Sequence, residues 1–147
     1  MTLKFRLEQD SFGELLVPVE AMYGAQTQRA VENFRLSGLR MPAEFITAMA
    51  QIKAALAEAN AGLGHLPKGK ARAIAKAARA IADGAHADQF PVDVFQTGSG
   101  TSSNMNLNEV IAAVVNQQSR LEVHPNNDVN FGQSSNDVVP SARHIDD

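Results

Sequence analysis

The residues best suited to chemistry concentrate in one uncharged stretch, Phe95-Gln96-Thr97-Gly98-Ser99-Gly100-Thr101-Ser102-Ser103-Asn104-Met105-Asn106. Glycines at 98 and 100 free the backbone for positive φ and let a ligand approach closely. Ser102, Ser103 or Asn104 would cap a helix running through Leu107, Val110, Ile111 and Val114. Neutral donors opening a helix N-terminus make a ready site for an anion. An ordinary capped turn without a ligand is the plain alternative. Two familiar tenants are excluded by spacing. The third glycine of a dinucleotide fingerprint is missing, with Ser103 in its place, and no Gly-Lys-Ser/Thr follows to grip a phosphate.

A second donor-rich loop runs from His124-Pro125-Asn126-Asn127-Asp128 through Asn130 to Gln133-Ser134-Ser135-Asn136-Asp137. Asn and Ser favour turns for local reasons, so one such loop would read as structural. Two of them could converge on a carboxylate without the desolvation cost of burying opposed charges. Other constellations fail. The histidines at 65, 86, 124 and 144 lack metal-ligand spacing, and no serine sits in a Gly-x-Ser-x-Gly elbow.

The elements that must position these loops follow from periodicity. Leu3, Phe5 and Leu7 alternate with charged residues, and Asp10-Ser11-Phe12-Gly13 supplies a turn, so residues 3–20 read as extended. Tyr23-Gly24-Ala25-Gln26-Thr27-Gln28-Arg29 opens a short helix towards Phe34, its polar residues either solvated or engaged in something the sequence does not reveal. A helix over Pro42–Ala61, ended by Gly62, carries a stripe of Phe45, Met49, Ile52, Leu56 and Ala59. Another spans Pro67–Asp83 and stops at Gly84, burying Ile74, Ala78 and Ile81. Its basic residues Lys68, Lys70, Arg72, Lys76 and Arg79 lack interleaved aromatics and read as a solvated face, not a nucleic-acid stripe. Phe90-Pro91-Val92-Asp93-Val94-Phe95 is extended and delivers the chain to the glycine loop, and the helix after that loop fades near Ser119-Arg120.

At 147 residues the chain fits one domain and can bury a core. Its residues are 44% apolar but only 5% aromatic, with abundant alanine, which favours closely packed helices over a β-sandwich. A net charge of −3 offers no general attraction to nucleic acid or anionic membranes. Without cysteine, disulfides and thiolate metal sites are out of reach. No apolar run is long enough for a bilayer and no signal-peptide core follows Met1, which points to a cytoplasmic protein.

Taken together the segments resemble the N-terminal part of class II fumarases, within the fumarase/aspartase superfamily. Five ordered blocks carry the resemblance, and they cover nearly the whole chain. They are Arg6-Leu7-Glu8-Gln9-Asp10-Ser11-Phe12-Gly13-Glu14; Val17-Pro18 with Tyr23-Gly24-Ala25-Gln26-Thr27-Gln28-Arg29 and Asn33-Phe34; Gln96 to Asn106 with Asn108-Glu109-Val110; His124-Pro125-Asn126; and Gln133-Ser134-Ser135-Asn136-Asp137. The resemblance implies a mainly α fold, the N-terminal domain of that superfamily, with short extended segments near the N-terminus and before the glycine loop. It places Ser99, Gly100 and Thr101 in a substrate-binding loop and Ser134, Ser135 and Asn136 on the second wall of the same pocket. His124, Pro125, Asn126 and Asn127 would form a second anion site away from the chemistry. Here Asn127 stands where the family usually has aspartate, and Leu121 where some members have arginine.

The implied activity is reversible hydration of fumarate to L-malate, a lyase step of the tricarboxylic acid cycle, with a small dicarboxylate as partner and no cofactor. The family's catalytic histidine lies in a Gly-Arg-Thr-His segment and its catalytic serine in a Gly-Ser-Ser…Lys loop, neither of which is in this sequence. The chain is therefore expected to be one N-terminal lyase domain over 1–147, a fragment that binds without catalysing. Such a fragment would be a monomer or weak dimer, whereas the complete enzyme would be a homotetramer. A fragment of an aspartate ammonia-lyase and a non-catalytic helical anion-binding module are the alternatives.

Overall fold

The computed structural model describes residues 4–33, 40–92 and 101–131, with Thr101 described by its backbone alone. The chain begins with a two-stranded antiparallel hairpin, β1 (Phe5–Asp10) and β2 (Gly13–Pro18), and continues with helix α1 (Ala25–Asn33). Three longer helices follow: α2 (Ala43–Gly62), α3 (Lys68–Ala82) and α4 (Thr101–Gln118). A short 3-10 turn at Ala87–Gln89 and a π-helical turn at Pro125–Val129 complete the described elements. This is the expected mainly helical fold with its extended N-terminal segment. None of the described helices is long and apolar enough to cross a membrane.

Helices α2 and α3 form a hairpin pair joined by a short turn over 63–67. Both end alike. Gly64 (φ +79°) and Gly84 (φ +106°) take the left-handed conformation just past each helix, and His65 and Ala85 donate back to the carbonyls of Asn60 and Ala80 at 2.8 and 3.0 Å. Gly62, expected to end α2, is its last helical residue. On α3, Ile74, Ala78 and Ile81 are buried as expected, and Lys68, Arg72, Lys76 and Arg79 are exposed.

The α2 stripe differs from the expected one. Phe45 and Met49 are buried, but Ile52 and Leu56 are half-exposed and Ala59 is exposed. The buried face runs instead through Ala48, Ala50, Lys53, Ala54 and Ala57. Alanines let α3 approach closely, so the larger side chains turn towards the rim and contact, not bulk, selects the face. α4 is buried on almost every side: Leu107, Val110, Ile111, Val114 and Val115 join the core with Phe45, Met49, Ile74, Ile81 and Phe90. α4 also starts earlier than expected. Ser102, Ser103 and Asn104 lie inside its first turn, not at its cap.

The hairpin keeps the expected alternation, with its apolar residues on the outer face. Phe5, Leu7 and Leu16 face outward and are about half exposed or more, while Arg6, Glu8 and Asp10 face inward. The inward charges are held by directed bonds. Arg6 donates to the carbonyls of Pro18, Ala21 and Tyr23 at 2.9, 2.7 and 2.7 Å, which clamps the segment leading into α1. Asp10 receives two bonds from the Arg29 fork, each 2.8 Å, and this pairing holds its carboxyl below the usual range.

One buried side chain, Glu109, joins α1 to α4. Glu109 accepts the backbone N–H groups of Gly24, Gln26 and Thr27 at 3.1, 3.1 and 2.9 Å, and the Thr27 hydroxyl at 2.5 Å. A carboxylate reaching across from another helix thus does the work of an N-cap, where orphan donors and the positive end of the dipole both favour it. Gly24 makes room: a Cβ there would lie 2.8 Å from Glu109 Oε2. Glu109→Ala should therefore strip partners from a buried helix end and lower stability by about 3 kcal/mol, while an exposed control, Glu20→Ala, should change it by less than about 0.5 kcal/mol. Urea unfolding of both variants checks this.

Candidate functional site

α4 brings its first residue, Thr101, to the amino end of a helix whose first two turns are lined with buried amides. Asn104, Asn106 and Asn108 are fully buried and Ser103 nearly so. Asn106 Nδ2 donates to the Gln89 carbonyl at 2.9 Å, while the Gln89 side chain accepts the Met22 N–H at 2.7 Å. The 3-10 turn thereby ties the start of α1 to the start of α4. Among the described residues, Asn106 Oδ1 and Asn108 Oδ1 take no donor. Of the expected substrate-binding residues, Thr101 is placed at the helix start, and Ser99, Gly100, Ser134, Ser135 and Asn136 lie outside the described residues.

The residues expected to form a second anion site do come together. After α4, Asn116 clamps the returning chain at Val123 with two bonds, Nδ2 to the carbonyl at 2.9 Å and the N–H to Oδ1 at 2.8 Å. That sets His124 extended (φ −100°, ψ 135°), with Pro125 opening the turn. His124 Nδ1 accepts the N–H groups of Asn126 and Asn127 at 3.0 and 3.1 Å, which puts the ring proton on Nε2. Asp128 accepts the His124 N–H at 2.8 Å and pairs with Lys70 at 3.4 Å. Lys70 is thereby a half-buried member of the basic run, whereas Arg79 pairs with Glu58 at the surface. His124, Asn126 and Asn127 are exposed, so the turn presents neutral donors at the surface. Arg120 is exposed beside Leu121, which leans on the core.

His124 and Asn126 edge a cleft of 660 Å³ whose other walls are Arg6, Asp10, Gly24 and Glu109. The carboxylates there already accept from Arg29 and from the start of α1, so the cleft is polar yet largely self-satisfied. The dense polar residues at 26–29 are explained by the same contacts. Thr27 is buried on Glu109 and Arg29 is spent on Asp10, so they position elements and are not a solvated turn.

Sequence reasoning missed Lys53. Its side chain is 1% exposed, and Nζ donates to Asn130 Oδ1 at 3.1 Å, an oxygen that also accepts from Asn104 Nδ2 at 3.1 Å. Burial lowers its pKa from 10.5 to about 7. The one available signal was a lysine inside an alanine-rich face, four residues after Met49. Unfolded, the amine keeps its proton up to 10.5, whereas the folded chain releases it near 7. The contribution of Lys53 to stability therefore rises with pH across that window. Urea midpoints at about pH 7 and about pH 9.5 should show this rise in the parent and its loss in Lys53→Met.

A family model described as "Lyase" matches residues 13–146. Among curated proteins, the chain is 56% identical over 142 residues to a fumarate hydratase class II of Xylella fastidiosa, covering 97% of this chain and 30% of that protein. It is 53% identical to the fumarate hydratase class II of Halobacterium salinarum, over 99% of this chain and 32% of that protein. Among solved structures, class II fumarase from Schistosoma mansoni superposes with a TM-score of 0.92 at 41% identity, over 97% of this chain and 32% of that one. A fumarate lyase:delta crystallin from Brucella melitensis bound to cobalt gives 0.92 at 46% identity, over 97% of this chain and 33% of that one. The chain thus spans about a third of the length of the proteins it matches.

Proposed function

The chain belongs to the lyase family, and we propose that it forms the N-terminal, substrate-binding part of a fumarate hydratase that interconverts fumarate and L-malate. One observation carries the reading: identity of 53–56% to proteins named fumarate hydratase class II, spread over 97–99% of this chain. The donor-rich start of α4 and the His124 turn are in keeping with it.

The reaction removes a proton from the carbon next to a carboxylate, and negative charge builds on that carboxylate as it leaves. Fixed neutral donors stabilise such charge at no reorganisation cost. In this reading Ser99, Gly100 and Thr101 hold the substrate carboxylate at the start of α4, and Ser134, Ser135 and Asn136 close the same pocket. His124, Pro125, Asn126 and Asn127 form a second anion site, its donors His124 Nε2 and the two asparagine amides. No cofactor takes part. The catalytic acid and base belong to segments outside these residues, and the complete enzyme is a cytoplasmic homotetramer serving the tricarboxylic acid cycle. The 147-residue chain is one domain and, by itself, a monomer or weak dimer.

Two measurements test this. The 147-residue chain alone, followed by fumarate absorbance at high protein concentration, should show no turnover. The complete polypeptide carrying this sequence as its N-terminal region should hydrate fumarate and leave aspartate untouched; release of ammonia from aspartate would overturn the assignment. In that polypeptide Thr101→Val keeps the volume and removes a donor, so kcat/KM should fall by an amount worth about 2–4 kcal/mol. Unchanged kinetics would return Thr101 to a purely structural place at the helix start.

A further inference from the structure

The outer ridge of α3 carries Lys68, Arg72, Lys76 and Arg79, all exposed, at steps of four, four and three. That spacing sets them in one row along about 16 Å of helix. The row is costly to the helix that bears it. Lys68 stands at the amino end, where the dipole disfavours a cation, and the first turn holds no acidic residue. Lys68 with Arg72, and Arg72 with Lys76, are like charges one turn apart and repel. Of the four, among the described residues only Arg79 meets a carboxylate, that of Glu58, in a surface pair worth little free energy.

Both flanks of the ridge are grooved. On the α4 side a groove of 250 Å³ is floored by Ala73, Ala77 and Val115, with Arg72 and Lys76 on its rim. On the α2 side another of 270 Å³ runs over Ala61, Ala71 and Ala75, edged by Lys68, Arg72 and Arg79. Such a face complements a helix that carries a row of carboxylates with apolar side chains on either side of it. Other occupants fit less well. The apolar residues lining both grooves are no larger than valine, so nothing here inserts into a membrane. No aromatic stands in the row to stack a base. A second copy offers no matching helix among the described residues: α1 holds Glu32 alone, α2 has Glu44 and Glu58 near opposite ends, and α4 buries Glu109.

We propose that the outer face of α3 is a docking surface for an acidic amphipathic helix of a partner protein. Charge complementarity along the ridge orients that helix, and its apolar side chains seat in the two grooves. The surface meets α4 at Val115, near the end opposite Thr101, so a docked helix leaves the donor-rich start of α4 open.

The test uses the complete polypeptide carrying this sequence and a fluorescein-labelled synthetic helix with glutamate at every fourth position, flanked by alanine and leucine. The readout is fluorescence anisotropy, which needs no turnover and so stands apart from the functional reading above. Binding should saturate at low ionic strength and weaken as salt is added. Arg72→Glu should lower the affinity about tenfold, since one exposed ion pair is lost and one repulsion gained. Its melting temperature should hold or rise, because two repulsions within α3 are relieved. Ala73→Gln fills the α4-side groove and keeps every charge, and it should weaken binding as well. A peptide of the same composition with its carboxylates spread round the helix should bind less tightly than the patterned one. Equal binding of the two peptides, or full binding to Ala73→Gln, reduces the face to unspecific attraction and overturns the proposal. Tighter binding to phosphatidylserine vesicles or to duplex DNA than to the patterned helix overturns it too.

Discussion

Glu109 sits in the middle of α4 and terminates a different helix. Its two oxygens collect the donors that α1 exposes at its amino end, along with the Thr27 hydroxyl. Helix α1 has nine residues, too few to be stable in water by propensity, and it carries no acidic residue in its first turn. The charge that completes it comes from outside. Everything at the N-terminal end depends on this contact: α1 aims Arg29 at Asp10, Asp10 fixes the tip of the hairpin, and Arg6 ties the hairpin back to the segment entering α1. Gly24 belongs to the same constraint, because any side chain there would meet the carboxylate.

α4 reconciles two demands that normally conflict. Its second half is a core helix, with Val110, Ile111, Val114 and Val115 all buried. Its first half buries amides, and two amide oxygens there meet no donor among the described residues. Each such oxygen costs free energy that a leucine would not. A sequence selected for packing alone would not repeat asparagine at 104, 106 and 108.

What could be read in the sequence follows from what is local. Helix ends at Gly64 and Gly84, the periodic faces of α3 and the extended entry at 5–18 are set by neighbouring residues, and they were legible within a residue or two. The wrong choices were those that tertiary contact decides. Ile52, Leu56 and Ala59 form an apolar stripe on paper, but the alanines beside them allow closer approach to α3 and so face inward. Periodicity left open which half of the alternating first strand faces inward; the charged half does, because Arg6 and Asp10 have specific partners further along the chain. Glu109 and Lys53 were invisible for the same reason. Nothing near them in sequence announces a partner 77 to 85 positions away, and a glutamate or lysine on a helix reads as solvent-facing by default. The His124 turn was legible as donor-rich, but its tautomer follows only from the fold of the turn.

Glu109 and Lys53 also show two different uses of buried charge in one small helical array. The carboxylate of Glu109 is fully answered, since every bond it accepts comes from a helix end that would otherwise hold orphaned donors, so its burial adds to stability. Burial of Lys53 favours the neutral amine and lowers its pKa to about 7. The first charge thus ties two helices together, and the second makes folding stability depend on pH.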